Sequence, residues 1–380
     1  FYKEFGTHIN LLAFQSNALS FELWKFAVYQ YPIILYSILI TLAFFLWKKI
    51  ISYLLLFINN NKNLSKILEL KYFFVSIIVI FILLRGGIQQ RPIDWGYAMF
   101  SKDQLANQTA LNPIFNFGRS IIQLNSEKNV LSLLNYMDDE KALQITKKLI
   151  LSENEYYLDS TSIKRKLKVS KLIKPNIVLV ILESFLGDYC GFINNENYKI
   201  TPNLNKIANN GINCLNTFAS GKRSAYGISS ILCSWPALPG FSLISNMDSQ
   251  IGVETLGSLL KKINYSTYFL YGGDANFDNM KGFALSNGFD KVIDEDYFPA
   301  NMDGTMWGIF DEYIFDYSEN ILDTAKTPIL ITLFTTTNHQ PWEIPKEKEN
   351  LIPIFRDKGN RNRKHKIART MAYTDYVIGN

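Results

Sequence analysis

The sequence predicts an α/β fold with a mostly parallel central sheet, preceded by transmembrane helices. Three observations predict it. Residues 26–47 form an uncharged run of 22 residues dense in Ile, Leu, Phe and Tyr. From Pro175 onward, short apolar runs alternate with helix-patterned segments. The first of those runs, Ile177–Leu182, is continuous and β-branched, as a strand covered on both faces requires.

The run at 26–47 has the length a bilayer demands, about 20 residues. Tyr31 and Trp47 sit near its ends, where amphipathic rings favour the interface. Tyr72–Leu84 is a second apolar run, which Lys71, Arg85 and the neutral Gly86-Gly87-Ile88 extend to a span of about 72–88. Ile50–Ile58, between the runs, is read as surface-lying. The loop holds Lys48, Lys49, Lys62, Lys66 and Lys71 against Glu69. Positive loops stay in the cytoplasm. The expected location is therefore the bacterial cytoplasmic membrane, crossed more than once, with everything beyond about residue 90 extracytoplasmic. The first 91 residues hold nine Lys or Arg and three Asp or Glu; the remainder holds 30 and 31. A near-neutral outer part argues against nucleic-acid partners, which need a basic face. Three cysteines give neither metal spacing nor a disulfide framework.

Three segments follow: an anchor over 1–91, a helical connector over 92–170, and an α/β catalytic domain over 171–380. In the connector, Asn107–Leu124 and Asp138–Leu151 have helical apolar spacing, and Lys164–Lys174 is a basic linker with six cationic residues. In the domain, Thr201-Pro202 and Gly211 bracket a helix. Ile212–Phe218, Ser266–Tyr271 and Ile329–Thr335 are further strands, and Ala225–Leu232, Thr255–Ile263 and Lys364–Ile378 are helices. Phe1 in place of Met, and a chain that stops within a helix pattern, are read as cut ends.

Ligands of open α/β sheets bind beyond the carboxyl ends of strands. Glu183 stands there, and a carboxylate at that place is a good hard-cation ligand, or else a helix cap. In Ser220-Gly221-Lys222-Arg223-Ser224, glycine permits a tight turn and Lys222 and Arg223 supply positive charge. Ser224 falls at a helix N-terminus, as a metal-activated nucleophile or as an ordinary N-cap. Thr335-Thr-Thr-Asn338-His339-Gln-Pro341-Trp342 follows a buried strand, and His339 reads as a phosphate donor or a structural imidazole.

The order Leu182-Glu183-Ser184, Thr201-Pro202-Asn203-Leu204, Gly221-Lys222-Arg223-Ser224, Asn338-His339-Gln-Pro341-Trp342 resembles the lipoteichoic-acid synthase-like family of the alkaline phosphatase–sulfatase superfamily. Tyr271-Gly-Gly-Asp274, Phe277-Asp-Asn279-Met280 and Leu111-Asn-Pro-Ile-Phe115 are similar to its substrate-side and connector segments. The resemblance implies an alkaline phosphatase-like sandwich and a nucleophile at Ser224. It implies metal ligation by Glu183 and Ser224, and substrate binding by His339, Arg223, Lys222, Asp274 and Asn279. The implied cofactor is Mn²⁺, with Mg²⁺ or Zn²⁺ as alternatives. The implied reaction passes a phosphoglycerol-like group from a membrane lipid headgroup to an envelope glycan or glycolipid acceptor.

There are departures. The family's later Asp-His-Gly motif is absent from residues 1–380, so the chain by itself is expected to bind metal weakly and turn over poorly. Asp278 and Met280 stand where the synthases use Trp and Arg, which weakens phosphoglycerol as the transferred group. A sulfatase reading needs Cys/Ser-x-Pro-x-Arg, and the nearest string, Cys233-Ser-Trp-Pro-Ala237, lacks the Arg and the spacing. Phosphodiester or phosphomonoester hydrolysis and a non-catalytic membrane scaffold remain as alternatives.

Overall fold

The computed structural model of the chain describes residues 32–59, 66–89, 92–116, 118–119, 121–122, 136–168, 173–194, 199–238, 242–246, 252–352 and 362–380. Two compact units emerge: Phe1–Trp95 with Asn112–Ile121, and Gly96–Leu111 with Ile122–Asn380.

The first unit holds helices α1 (Ile33–Asn59) and α2 (Lys66–Arg85). Both are long and apolar enough to cross a membrane, and the apolar windows are unburied. α1 continues unbroken past Lys48-Lys49; residues 26–31 of the expected first span lie outside the described residues. α2 is displaced from the expected 72–88. It reaches back to Lys66 and stops at Arg85, because Gly86 and Gly87 take φ of +84° and +137°. That left-handed backbone ends a helix.

The second unit opens with α3 (Gln104–Ala110), capped by the Asp103 carboxylate accepting from Leu105 N–H at 2.9 Å. The helix expected over 107–124 is broken at 111–112: α3 ends at Ala110, and residues 113–116, 118–119 and 121–122 are helical again. α4 (Asp139–Ile150) follows, capped by Asp138. An exposed antiparallel hairpin comes next, β1 (Glu155–Tyr157) with β2 (Arg165–Leu167). The basic run read as linker therefore begins as a strand; residues 169–172 lie outside the described residues.

The central sheet has four parallel strands in the order β3-β8-β4-β5: β3 (Ile177–Ile181), β8 (Ile329–Phe334), β4 (Ser266–Tyr271) and β5 (Lys291–Ile293). β8 is interior and every residue in it is buried. Its side chains alternate between two cores, as period-2 geometry dictates. Leu330 and Phe334 join Phe269, Phe283, Phe289 and Ile228 on one face, while Ile329, Ile331 and Leu333 join Leu270 and Ile314 on the other. Phe269 and Phe289 pack edge to face at 5.8 Å. Full burial of each such ring is worth about 1.5–3 kcal/mol.

Helices α6 (Ser224–Cys233), α7 (Leu256–Lys261), α8 (Met280–Ser286) and α9 (Asp311–Asp323) pack on the sheet, while α5 (Pro202–Asn210) and α10 (Arg363–Gly379) pack on each other around a separate apolar cluster. α7 starts with a reciprocal Thr255–Ser258 capping box. A two-residue ladder, β6 (Gly304–Thr305) against β7 (Gly308–Ile309), completes the fold.

One expected strand is absent. Residues 212–218 make no ladder, and Ile212 and Phe218 are 96% and 85% exposed. β-propensity stabilises a strand only where a neighbouring edge supplies hydrogen bonds and a face to pack on.

Candidate active site

Register brings three strand ends to one edge. Ile181 and Tyr271 both pair with Phe334, so Leu182, Gly272 and Thr335 follow at the same level, with Glu183 one residue beyond. The Glu183 N–H donates to Thr335 Oγ1 at 2.9 Å, which ties the two loops together. His339 lies four residues further on, in a turn where its N–H donates to the Thr336 carbonyl at 3.2 Å.

Ser224 is the first residue of α6, with Arg223 in the capping position and no side-chain cap bond there. The Ser224 hydroxyl instead meets the Glu183 carboxylate. His339 Nε2 lies 3.3 Å from Glu183 Oε1, and Ser184 Oγ donates to the same oxygen at 3.2 Å. Carboxylate, hydroxyl and imidazole from three separate segments thus meet at the carboxyl edge of the sheet. Burial pushes the Glu183 carboxyl up. The hydrogen bond and charge of His339, then the Ser224 and Ser184 hydroxyls, outweigh that and hold it below the usual range. A carboxylate kept ionised is the form that ligates cations.

The remaining expected site residues are arranged differently. Arg223 is exposed and reaches Asp278 at 3.4 Å. Lys222 is exposed. Asp274 is engaged: it accepts from Asn276 N–H within its own loop at 2.9 Å and from the hydroxyl of the distant Tyr97 at 2.8 Å. Asn279 is buried, with its amide donating to the Ile244 carbonyl at 3.4 Å. It follows Asp278 in a pair of left-handed residues, φ +49° and +61°. Asn and Asp tolerate that conformation better than most side chains. Asp274 and Asn279 therefore shape the loop that holds Asp278 beside Arg223.

Two residues at the site had no voice in the motif reading. Trp307, at the tip of the β6–β7 hairpin, stacks on the His339 ring at 4.6 Å and 25° and donates from Nε1 to the Gln340 carbonyl at 2.6 Å. The hairpin reaches there because Gly272 and Gly273 have no side chains: a Cβ on Gly273 would strike the Trp307 carbonyl, and Ile309 N–H donates to Gly272 O at 2.8 Å. Asp311, fully buried, accepts at Oδ1 from Thr336 N–H (2.7 Å) and Thr337 N–H (3.3 Å), and at Oδ2 from Thr374 Oγ1 (3.3 Å). It clamps the loop that carries His339 to α9 and α10. A Trp-Gly pair beside a short turn was the available signal for Trp307. Asp311 had none beyond an acid in a first helical turn.

Glu183 and Ser224 are oxygen donors suited to a hard divalent cation. Among the described residues no cluster of three or more His, Cys, Asp or Glu is close enough to enclose one. The donor set therefore fits such an ion as two of its ligands.

Comparison with known proteins bears on the same region. Phosphoglycerol transferase I of Xanthomonas axonopodis pv. citri is 28% identical over 182 residues, which is 44% of this chain and 26% of the relative. The lipoteichoic acid synthase-like YvgJ of Bacillus subtilis is 26% identical over 187 residues, 47% of this chain and 29% of the relative. The chain thus matches between about a quarter and a third of the length of these relatives. A solved alkaline phosphatase superfamily protein from Vibrio parahaemolyticus aligns at 29% identity and a TM-score of 0.49, covering 55% of this chain and 50% of that one. Residues 175–380 match the family described as Sulfatase, a stretch that holds more than half of the chain, the whole parallel sheet, and Glu183, Ser224 and His339. The chain belongs to the sulfatase family.

Proposed function

We propose that the protein is a membrane-anchored, metal-dependent transferase. It moves a phospho-substituent of the phosphoglycerol type from a lipid headgroup to an extracytoplasmic acceptor through a covalent adduct on Ser224. One observation carries this reading: the Ser224 hydroxyl, the Glu183 carboxylate and the His339 imidazole converge at the carboxyl edge of the sheet. The named activities of the relatives, phosphoglycerol transfer and lipoteichoic acid synthesis, support it. The apolar helices α1 and α2 suit a donor that lies in a bilayer.

In the first half-reaction an Oγ–P bond forms at Ser224 as the bond from phosphorus to the diacylglycerol oxygen breaks. Overall, Ser224 exchanges its proton for phosphorus, and a proton ends on the departing oxygen. His339 is the imidazole at the site able to deliver it. Glu183 and Ser224 would hold a divalent cation, Mn²⁺ in this reading, whose positive charge would favour the ionised hydroxyl. The α6 N-terminus directs its partial positive charge at the same oxygen.

A sulfatase-type cysteine chemistry is disfavoured by the structure of its nearest candidate. Cys233 ends α6, packs against the core, and has its thiol pushed up to about 11 by burial. It stays protonated and unreactive at neutral pH.

The test uses full-length protein in vesicles containing phosphatidylglycerol labelled in the phosphate. The expected result is label on the Ser224 peptide together with released diacylglycerol. Diacylglycerol release without any Ser224 adduct would reject the covalent route. No release would reject the donor.

Trp307 sets the His339 ring plane. Trp307→Ala is expected to lower kcat by about 10–100-fold, the scale of a misplaced reacting group, and Trp307→Phe to recover most of it by keeping a flat face. Equal rates for both variants and the wild type would remove Trp307 from this role.

A further inference from the structure

The start of the basic run takes no part in the reaction above, and the β1–β2 hairpin it forms has two unlike faces. In an antiparallel pair, residues opposite one another project to the same side, and the side alternates along each strand. Glu155 opposes Leu167 and Tyr157 opposes Arg165. This face is tied to α4 and its end: the Tyr157 hydroxyl donates to the Lys147 carbonyl, and the Arg165 guanidinium donates to the Ile150 carbonyl and pairs with Glu155 at 3.4 Å. Tyr156 opposes Lys166 on the other face. The pairing runs on at both ends, with Leu158 N–H donating to the Lys164 carbonyl at 3.0 Å and Lys168 N–H to the Asn154 carbonyl at 2.8 Å. The outer face therefore carries Lys164, Lys166 and Lys168 opposite Leu158, Tyr156 and Asn154.

None of these residues is acidic. Glu155 belongs to the inner face. The Asp159 carboxylate, next in the chain after Leu158, accepts from the Thr161 and Ser162 N–H groups at 2.9 and 2.6 Å and so serves the turn. Among the described residues the hairpin's ion pair is that of Arg165 with Glu155, and the three lysines, all exposed, join none. Tyr156 and Leu158 are 42% and 57% exposed.

Ammonium groups interleaved with exposed tyrosine and leucine suit one kind of surface. At an anionic bilayer the lysine heads reach headgroup phosphates, while their stems and the apolar side chains lie at the acyl boundary. A soluble polyanion would neutralise the lysines and leave the apolar surface in water. The apolar helices α1 and α2 precede the hairpin in the chain. We propose that the outer face of the β1–β2 hairpin docks on an anionic lipid bilayer. The inference rests on the membrane-anchored part of the reading above and is independent of its chemistry. Docking keeps the second unit at the headgroup layer, where a lipid donor carries its phosphate, and each lysine strengthens it about fivefold.

The experiment reconstitutes the full chain in vesicles of phosphatidylcholine alone, or of phosphatidylcholine and phosphatidylglycerol in equal parts. A membrane-impermeant acetylating reagent is added. Mass spectrometry reads the labelling of Lys164, Lys166 and Lys168 relative to the exposed Lys326 of the same molecules, which cancels differences in orientation. Phosphatidylglycerol is expected to lower the labelling of the three lysines about tenfold. Salt at about 1 M, where the screening length falls to about 3 Å, is expected to restore it. Lys166→Glu should raise the labelling of Lys164 and Lys168 in the anionic vesicles by about fivefold, and Leu158→Ser should raise that of all three lysines. Both side chains are exposed, so neither substitution removes a core contact. Equal labelling in the two kinds of vesicle overturns the docking surface, while flotation of the protein with both leaves the anchor standing. Protection by soluble polyphosphate that matches phosphatidylglycerol and is indifferent to Leu158→Ser also overturns it, and assigns the face to a polymeric anion. Failure to float with vesicles of either composition overturns the anchor and this inference with it.

Discussion

Ser224→Ala is expected to lower diacylglycerol release by about 10⁴–10⁶-fold, the scale of removing a covalent nucleophile. The hydroxyl is the oxygen that would bond to phosphorus, and alanine leaves none in its place. The fold should be untouched. Ser224 is the first helical residue, Arg223 is the cap, and alanine is the stronger helix former. Ser224→Thr keeps the hydroxyl and should retain measurable activity. Headgroup release, adduct formation and the thermal midpoint, measured on the same preparations, separate chemistry from folding. A Ser224→Ala protein with wild-type release would remove Ser224 from the role of nucleophile and assign the attack to another group.

The second large effect is on stability. Asp311→Ala strands the Thr336 N–H and the Thr374 hydroxyl in a fully buried site, where each unpaired polar group costs about 1–3 kcal/mol. A total of about 3–5 kcal/mol corresponds to a midpoint lowered by about 10 °C for a domain of this size. Burial raises the Asp311 carboxyl above its ordinary range, and the threonine N–H and O–H donors offset part of that. The donors favour the charged form and burial the neutral one, with burial the larger influence. Asp311→Asn keeps an acceptor of the same shape and should lose less. Because the threonines lead into His339, the alanine variant is also expected to lose activity at temperatures where it remains folded. An unchanged unfolding midpoint would show that solvent or a neighbouring group replaces the carboxylate.

Elements whose burial follows from their own pattern were the most legible. β8 reads as Ile-Leu-Ile-Thr-Leu-Phe and is an interior strand with every residue covered. α10 was anticipated within a residue at each end, because Asn362 caps its start and the apolar repeat carries it onward. The second apolar helix was displaced because its boundary is set by glycine backbone at 86–87, while the hydropathy run suggested a later centre. Residues 212–218 were read as a strand on composition alone, and a strand also needs an edge to pair with. The hairpin within the basic run was hidden because exposed strands carry little apolar signal.

The sequence by itself determined which residues stand at the ends of strands and at the start of α6: Glu183, Ser224 and His339 occupy those places because apolar periodicity dictates where each element stops. Only the tertiary structure decided which of the candidates meet. Parallel pairing of β3 and β4 with β8 aligned three loops that are far apart in the chain. It sent the Ser224 hydroxyl to Glu183, turned Asn279 into the interior, and brought Trp307 and Asp311 to the His339 loop. The physical reason is that a local pattern specifies burial and direction along one element, whereas contacts between side chains on different elements depend on sheet order and register. What was anticipated as part of a phosphoryl-transfer site is in this fold a carboxylate, Glu183, with the Ser224 hydroxyl and the His339 imidazole gathered on it.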